Sequence, residues 1–208
     1  MNSNQSTIES REANGAPPAT SRLLFPHGVA NLTIRVDASM PGNYRASFYG
    51  PKPTVSEEPG VISIEYPRFN PMIWGRTSAD IAISPVTAWA IDIRGGVSHW
   101  DGDLRDVQLG GIDIEGGMSQ VDLQLPRPHG TVRFHVSGGA SALTLRRPAD
   151  VPARLRIGGG ASRLALDDQM FGAMGGPISL ETTGYSTATD RYAVEVGGGV
   201  SKISVGRP

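Results

Sequence analysis

The sequence of 208 residues has no cysteine, few aromatic residues and no long apolar run. Without cysteine the chain can form neither disulfides nor thiolate ligands, which fits a reducing compartment. A membrane-spanning helix needs about 18 apolar residues in succession, and residues 1–22 lack the apolar core of a signal peptide. These absences predict a cytoplasmic protein, or one held at the envelope only through a partner.

A surplus of either charge is also missing. The net charge is −1 and the isoelectric point is about 6.4, whereas a nucleic-acid-binding domain carries a basic excess. The sequence therefore predicts no nucleic-acid partner. Glycine and proline are abundant instead, at 27 and 16 residues, which is typical of an all-β chain with many corners.

A short phrase recurs five times: two glycines, one variable residue and a serine. The first four copies are spaced by 21, 22 and 21 residues, and the fifth follows after 39. A fixed period near 20 residues is typical of solenoids, in which each repeat buries its apolar face only against its neighbours. The copies are Gly95-Gly96-Val97-Ser98, Gly116-Gly117-Met118-Ser119, Gly138-Gly139-Ala140-Ser141, Gly159-Gly160-Ala161-Ser162 and Gly198-Gly199-Val200-Ser201.

Alternating apolar and polar residues flank each glycine pair, as in Ile112-Asp113-Ile114 before it and Val121-Asp122-Leu123 after it. Such alternation predicts strands with one buried face. The ten paired glycines are predicted corners, which need either a positive φ or close backbone approach. The pattern predicts an all-β fold, a single-stranded right-handed parallel β-helix with coils of about 20–22 residues and an N-terminal β cap.

Three regions are predicted along the chain. Residues 1–27 form a disordered tail, residues 28–79 form strands that cap the solenoid, and residues 80–208 form its repeats. Within the cap, alternation predicts strands at 29–37, 44–49 and 61–66, with 44–49 pairing with 29–37. Residues 70–75 are predicted to form a loop that packs Trp74 back onto the domain.

The Ser78-Ala79-Asp80-Ile81-Ala82-Ile83 segment, the glycine-glycine-x-serine coils and the 190–201 segment resemble the bacterial toastrack, or putative-adhesin, β-solenoid family. The resemblance covers about residues 28–208. It implies a right-handed single-stranded β-helix and brings no established catalytic residues. Members of this family are often tethered to membrane-stress or envelope proteins.

The serines of the five phrases (Ser98, Ser119, Ser141, Ser162 and Ser201) are the most regular polar feature. A catalytic serine needs its own base and an orienting group, and five equivalent positions argue against a unique nucleophile. We expect their hydroxyls to bond to corner backbone groups or to one another.

The segment from His99 to Asp106 holds four potential metal ligands, His99, Asp101, Asp103 and Asp106. Their spacing differs from that of an EF-hand, and Gly102 suggests a tight exposed turn, in which Asp residues are common. We interpret them as solvated turn residues, and we predict neither a metal nor a cofactor.

Asp92 and Asp113 would lie about 4.8 Å apart on successive coils, close to the separation in retaining glycosidases. With Asp101, they give the alternative of a glycan-active enzyme. The three tryptophans, Trp74, Trp89 and Trp100, would then supply a sugar platform, although such residues more often fill a core.

Charge is unevenly distributed along the repeats. Residues 80–125 contain eight acidic residues and two arginines, whereas residues 126–166 contain seven arginines and one acidic residue. In a solenoid these blocks become an acidic and a basic band, which could orient a protein partner or a second copy. The predicted basic binding band comprises Arg133, Arg146, Arg147, Arg154, Arg156 and Arg163.

One outward column follows from the period, with the members Asp92, Asp113, His135, Arg156 and Glu195 in chain order. If coils stack in chain order, Asp113 and Arg156 flank His135 from opposite sides. Taken together, these features predict a non-enzymatic binding or scaffold module in a bacterial stress-response or signalling assembly. The alternatives are the glycan-active enzyme and a surface adhesin.

Overall fold

The structure, a computed structural model, describes residues 11–12, 20–67 and 77–208. These residues form 19 β-strands, and within them no helix is long and apolar enough to cross a bilayer. The strands are β1 (Arg11–Glu12), β2 (Thr20–Phe25), β3 (Val29–Val36), β4 (Tyr44–Tyr49), β5 (Thr54–Glu58), β6 (Val61–Glu65), β7 (Ser78–Ile83), β8 (Ala88–Ile93), β9 (Gly96–Asp103), β10 (Gln108–Ile114), β11 (Gly117–Gln124), β12 (Thr131–Val136), β13 (Ala140–Arg146), β14 (Ala153–Ile157), β15 (Ala161–Leu166), β16 (Gln169–Phe171), β17 (Ile178–Glu181), β18 (Arg191–Val196) and β19 (Val200–Gly206).

The strands belong to two sheets, and each coil contributes one strand to each. Sheet A has the order β1-β4-β7-β3-β9-β11-β13-β19-β15-β16, and sheet B has the order β17-β14-β18-β12-β10-β8-β2-β6-β5. Neighbouring coils pair in parallel, as β9 does with β11, while antiparallel strands such as β4, β5, β16 and β17 lie toward the ends. The predicted all-β, solenoid-like class is confirmed.

The core lies between the two sheets and follows the predicted alternation. In β13 the inward residues Leu143 and Leu145 are fully buried, and Thr144 between them is partly exposed. Leu143 pairs in register with Val121 on one side and Ile203 on the other. Each inward column is therefore a continuous row of apolar side chains along the stack.

We expect Leu143→Ala to lower the free energy of unfolding by about 2–5 kcal/mol, because it leaves a cavity within a buried column. Thr144→Ala, the next residue on the outer face, should change it by less than about 0.5 kcal/mol. Urea unfolding of both variants measures the difference. A larger loss for Thr144→Ala would contradict the assignment of inward and outward faces.

The corner glycines are required mainly by close packing. Of the ten, Gly95 alone has a positive φ, at 129°. A Cβ added at Gly116 would lie 1.4 Å from the Gly95 oxygen, and one at Gly138 would lie 2.7 Å from the Gly116 oxygen. Of the two reasons predicted for glycine, close approach of neighbouring backbones therefore dominates.

The coils do not stack in chain order. The last coil, β18–β19, lies between β12–β13 and β14–β15, and the first, β2–β3, lies between β6–β7 and β8–β9. The residue beside His135 opposite Asp113 is therefore Glu195, and Arg156 lies beyond it. The predicted flanking of His135 by Arg156 is wrong, because the last coil is inserted between the coils that carry these two residues.

The N-terminal region also differs in detail from the prediction. Thr20–Phe25 form a strand within the predicted tail, because Leu23 and Phe25 are completely buried in the stack. The predicted strands at 29–37, 44–49 and 61–66 are present. β3, however, lies inside sheet A, and β4 pairs with β7 rather than with β3. Trp74 lies in the 68–76 segment, outside the described residues.

The excursion at 167–190 covers the end of the stack formed by β14 and β15. Phe171 and Met174 pack against the core. The buried Tyr185 ring lies beneath the guanidinium groups of Arg154 and Arg191, at 5.0 and 4.9 Å from the ring centroid. These contacts hold β17 beside β14 and position one side of the groove described next.

Candidate functional site

An open groove of about 470 Å³ lies on the outer face of sheet B, near the corner of the last coils. The β17 strand and the preceding Pro177 form one side, and the corner glycines Gly158 and Gly197 form another part of its lining. Its volume is in the range of ligand pockets in proteins. The polar residues that line it are His135, Arg156, Ser179 and Glu195.

The four polar lining residues are consecutive members of one outward column. Strand register gives this column the order Asp92, Asp113, His135, Glu195, Arg156 and Ser179. Sequence analysis identified the first five as members of a column but placed Glu195 at its end. It missed Ser179, because nothing in the repeat indicates that β17 returns antiparallel to β14.

His135 and Asp113 form a pair at one end of the groove. The His135 Nδ1 atom lies 3.0 Å from Asp113 Oδ1. An ionised carboxylate only accepts hydrogen bonds, so Nδ1 carries the proton and donates it. Asp113 is thereby satisfied without a ligand, and about half of its side chain is exposed.

Glu195 is held away from Arg156 by two other arginines. Arg133 Nη2 lies 2.9 Å from Glu195 Oε2, and Arg154 Nη2 lies 3.7 Å from Oε1. Arg156 is exposed and, within the described residues, has no carboxylate within 4.0 Å. The groove therefore presents one cation whose charge is not compensated by an ion pair.

The column does not form a catalytic triad. Ser179 is three strand positions from His135, which corresponds to about 14 Å at normal strand spacing. A nucleophile must lie within hydrogen-bond reach of its base. The geometry therefore suits binding through several separate polar groups rather than acyl transfer.

The repeated serines face solvent. Ser119, Ser141, Ser162 and Ser201 are exposed, and Ser98 is partly exposed. Their exposure leaves water as an additional hydrogen-bond partner, and the expected bonds to corner backbone groups or to one another stay a prediction.

The segment from His99 to Asp106 is not the predicted turn at Gly102. Gly102 is a buried strand residue of β9, and a Cβ there would lie 2.7 Å from Leu123 Cδ2. Hydrogen bonds from the Arg105 side chain hold the pKa of the Asp103 carboxyl below its ordinary value. Among the described residues, no group of three His, Asp or Glu side chains is arranged to hold a metal ion.

The arginines of the predicted basic band are mostly neutralised by carboxylates of other coils. Arg146 contacts Asp122, and Arg147 contacts Asp167, while Arg133 and Arg154 share Glu195. The inserted last coil supplies Glu195, and so breaks up the band expected from chain order. Arg156 on sheet B and Arg163 on sheet A remain exposed without an ion pair in the described part of the chain.

The candidate glycan-processing residues do not converge. Asp92 and Asp113 are neighbours in sheet B, as predicted, whereas Asp101 lies in sheet A beside Asp122. Arg22 donates a 2.8 Å hydrogen bond to Asp92, and neither Asp92 nor Asp113 lines the groove. Trp89 and Trp100 are buried in the core, so neither offers a sugar platform.

Comparison with known proteins identifies the fold. No protein-family model and no curated protein matches the sequence. A crystal structure of a putative cell adhesion protein from Clostridium sporogenes covers 98% of this chain and 100% of its own, with 17% identity and a TM-score of 0.76. A putative adhesin from Bacteroides fragilis aligns over 96% and 97% of the two chains at 10% identity, with a TM-score of 0.30. The likeness to adhesin-type solenoids predicted from the sequence is thus confirmed for the fold.

Proposed function

We propose that this chain is a non-enzymatic β-solenoid binding module whose ligand site is the groove on sheet B. One observation carries the proposal: the groove brings four polar side chains of one column beside uncovered apolar surface, without a nucleophile and base in contact. Binding sites are typically such concave surfaces with a few convergent polar groups. Elsewhere the outer faces carry several ion pairs between neighbouring coils, such as that of Arg146 with Asp122.

The proposal also covers the geometry of the β-helix, the kind of partner and the cellular compartment. We propose a right-handed single-stranded helix with coils of about 20–22 residues, which the 21-residue register of β9 and β11 supports. A protein partner is the proposed ligand source, in a bacterial stress-response or signalling assembly, as the toastrack resemblance implies. The proposed compartment is the cytoplasm, and fractionation of cells that express the tagged full chain tests it.

Adhesion is the second candidate function. It is supported by the description of the Clostridium sporogenes protein as a putative cell adhesion protein, together with that protein's full-length match to this fold. An adhesin and an assembly scaffold differ in where the partner lies, and both require a binding surface. The experiment below tests that shared requirement.

We expect Ser179→Trp to abolish partner capture, because the indole fills the groove from its β17 side. The exposed Ser201 of sheet A provides the matched control, and Ser201→Trp should leave capture unchanged. Cross-linking in bacterial cells, followed by mass spectrometry, measures which partners each variant retains.

Partners that are lost with Ser179→Trp and retained with Ser201→Trp, with cross-links that map to the groove, support the proposal. Equal retention by both variants, cross-links on another surface, or no specific partner for the wild type would contradict it. Thermal unfolding of both variants confirms that the folded state is retained.

A further inference from the structure

We propose that the groove recognises a carboxylate of an acidic peptide segment, with Arg156 as the anchoring residue. This inference rests on the proposed function, since it names the ligand chemistry of the same groove. It begins from the charge of Arg156, which the structure leaves exposed and unpaired within the described residues. A guanidinium binds a carboxylate through two parallel hydrogen bonds, which gives both strength and orientation.

The neighbours of Arg156 explain why its charge is available. Glu195, the adjacent member of the column, already has Arg133 at 2.9 Å and Arg154 at 3.7 Å. Its negative charge is thus neutralised from the side away from the groove. A ligand carboxylate that approaches Arg156 therefore meets little repulsion from Glu195, and it gains an ion pair that no side chain of the described residues supplies.

Ser179 provides a second donor on the other side of Arg156. The two residues are register partners in the antiparallel β14–β17 pair, and both are exposed. A serine hydroxyl can donate one hydrogen bond while it accepts others from water. Arg156 and Ser179 can therefore satisfy the two oxygens of one carboxylate together.

The lining favours a peptide over a glycan. The exposed Pro177 contributes apolar surface. The described lining residues include no Trp, Tyr or Phe on which a sugar ring could stack. The groove volume of about 470 Å³ accommodates a short stretch of peptide with its side chains. An acidic residue beside an apolar one fits this surface, with its carboxylate at Arg156 and the apolar side chain at Pro177.

The test measures binding of a fluorescein-labelled decapeptide of alternating Glu and Leu residues to the full chain by fluorescence anisotropy. We expect Arg156→Gln to weaken binding at least tenfold. Arg163→Gln removes the same charge from another exposed arginine, which lies on sheet A and has no ion pair among the described residues, and it should change the affinity less than twofold. The corresponding Gln-Leu peptide should bind at least tenfold more weakly than the Glu-Leu peptide.

Equal losses for Arg156→Gln and Arg163→Gln would show a diffuse charge effect and overturn the inference. Binding of a tetragalacturonate through Arg156, in place of the peptide, would overturn the choice of a peptide. If Ser179→Trp loses its cellular partners while Arg156→Gln keeps them, the groove remains the binding site and this ligand assignment fails. Backbone amide shifts in β14 and β17 during the peptide titration supply the structural readout.

Discussion

Gly116→Ala is expected to destabilise the protein by at least about 3 kcal/mol, near or above the upper end for overpacked sites. The added Cβ would lie 1.4 Å from the Gly95 oxygen, which belongs to the backbone of the adjacent coil. A backbone atom cannot swing aside as a flexible side chain can, so the two coils must separate locally. This separation weakens the parallel pairing of β9 with β11 beside the corner.

Two controls separate this contact from a general sensitivity of glycines. Gly117 occupies the same corner, but a Cβ there would lie 3.4 Å from the Gly139 oxygen, and Gly206 has no neighbour within 4 Å. Neither has a positive φ. Gly117→Ala and Gly206→Ala should therefore change the free energy of unfolding by less than about 1 kcal/mol. If urea unfolding shows Gly116→Ala to be as stable as Gly117→Ala, the corners do not stack as closely as described.

Asp167→Asn is expected to cost about 3–5 kcal/mol, because it leaves the buried Arg147 guanidinium without its counter-charge. Arg147 is 1% exposed, and its Nη2 donates to both Asp167 oxygens at 2.6 and 2.7 Å. Asp167 has a φ of 51°, which Asn tolerates well, so the substitution changes the charge without straining the backbone. We expect the melting temperature to fall by about 10 °C for a chain of this size.

Asp168→Asn is the matched control for the buried pair. Asp168 is 91% exposed and lies 3.9 Å from Arg207, and surface pairs of this kind contribute little. Its substitution should change the free energy of unfolding by less than about 0.5 kcal/mol. A double-mutant cycle with Arg147→Met measures the coupling, which should exceed about 1 kcal/mol. Equal stabilities of the two Asn variants would show that the Arg147–Asp167 pair does not hold the end of the stack.

The repeat predicts well which face of each strand is buried, because buried and exposed residues alternate along a strand. Val121 and Leu123 face inward as predicted, and the strand at 29–36 lies within the expected 29–37. The buried face depends on each strand's own residues, since a slip of one position would turn every apolar side chain outward.

The order of the coils could not be predicted in the same way. All coils present similar alternating strands, so residues 191–206 can pair equally well with several neighbours. The 39 residues before the last phrase match two further periods as well as they match an excursion. The groove depends on this order, because Glu195 lies between His135 and Arg156 only when the last coil is inserted. Ser179 could not be identified either, since its strand lies outside the repeat.

The inserted position of the last coil can be measured directly with paired cysteines in this cysteine-free chain. Thr144 and Ser204 are register partners, and Ala165 lies one strand beyond Ser204. Disulfides require Cα atoms within about 7 Å, so adjacent strands can be linked and strands two positions apart cannot. We expect Thr144→Cys with Ser204→Cys to cross-link on mild oxidation, and Thr144→Cys with Ala165→Cys to remain reduced. A cross-link between positions 144 and 165, without one between 144 and 204, would show that the coils stack in chain order and would contradict the account of the groove.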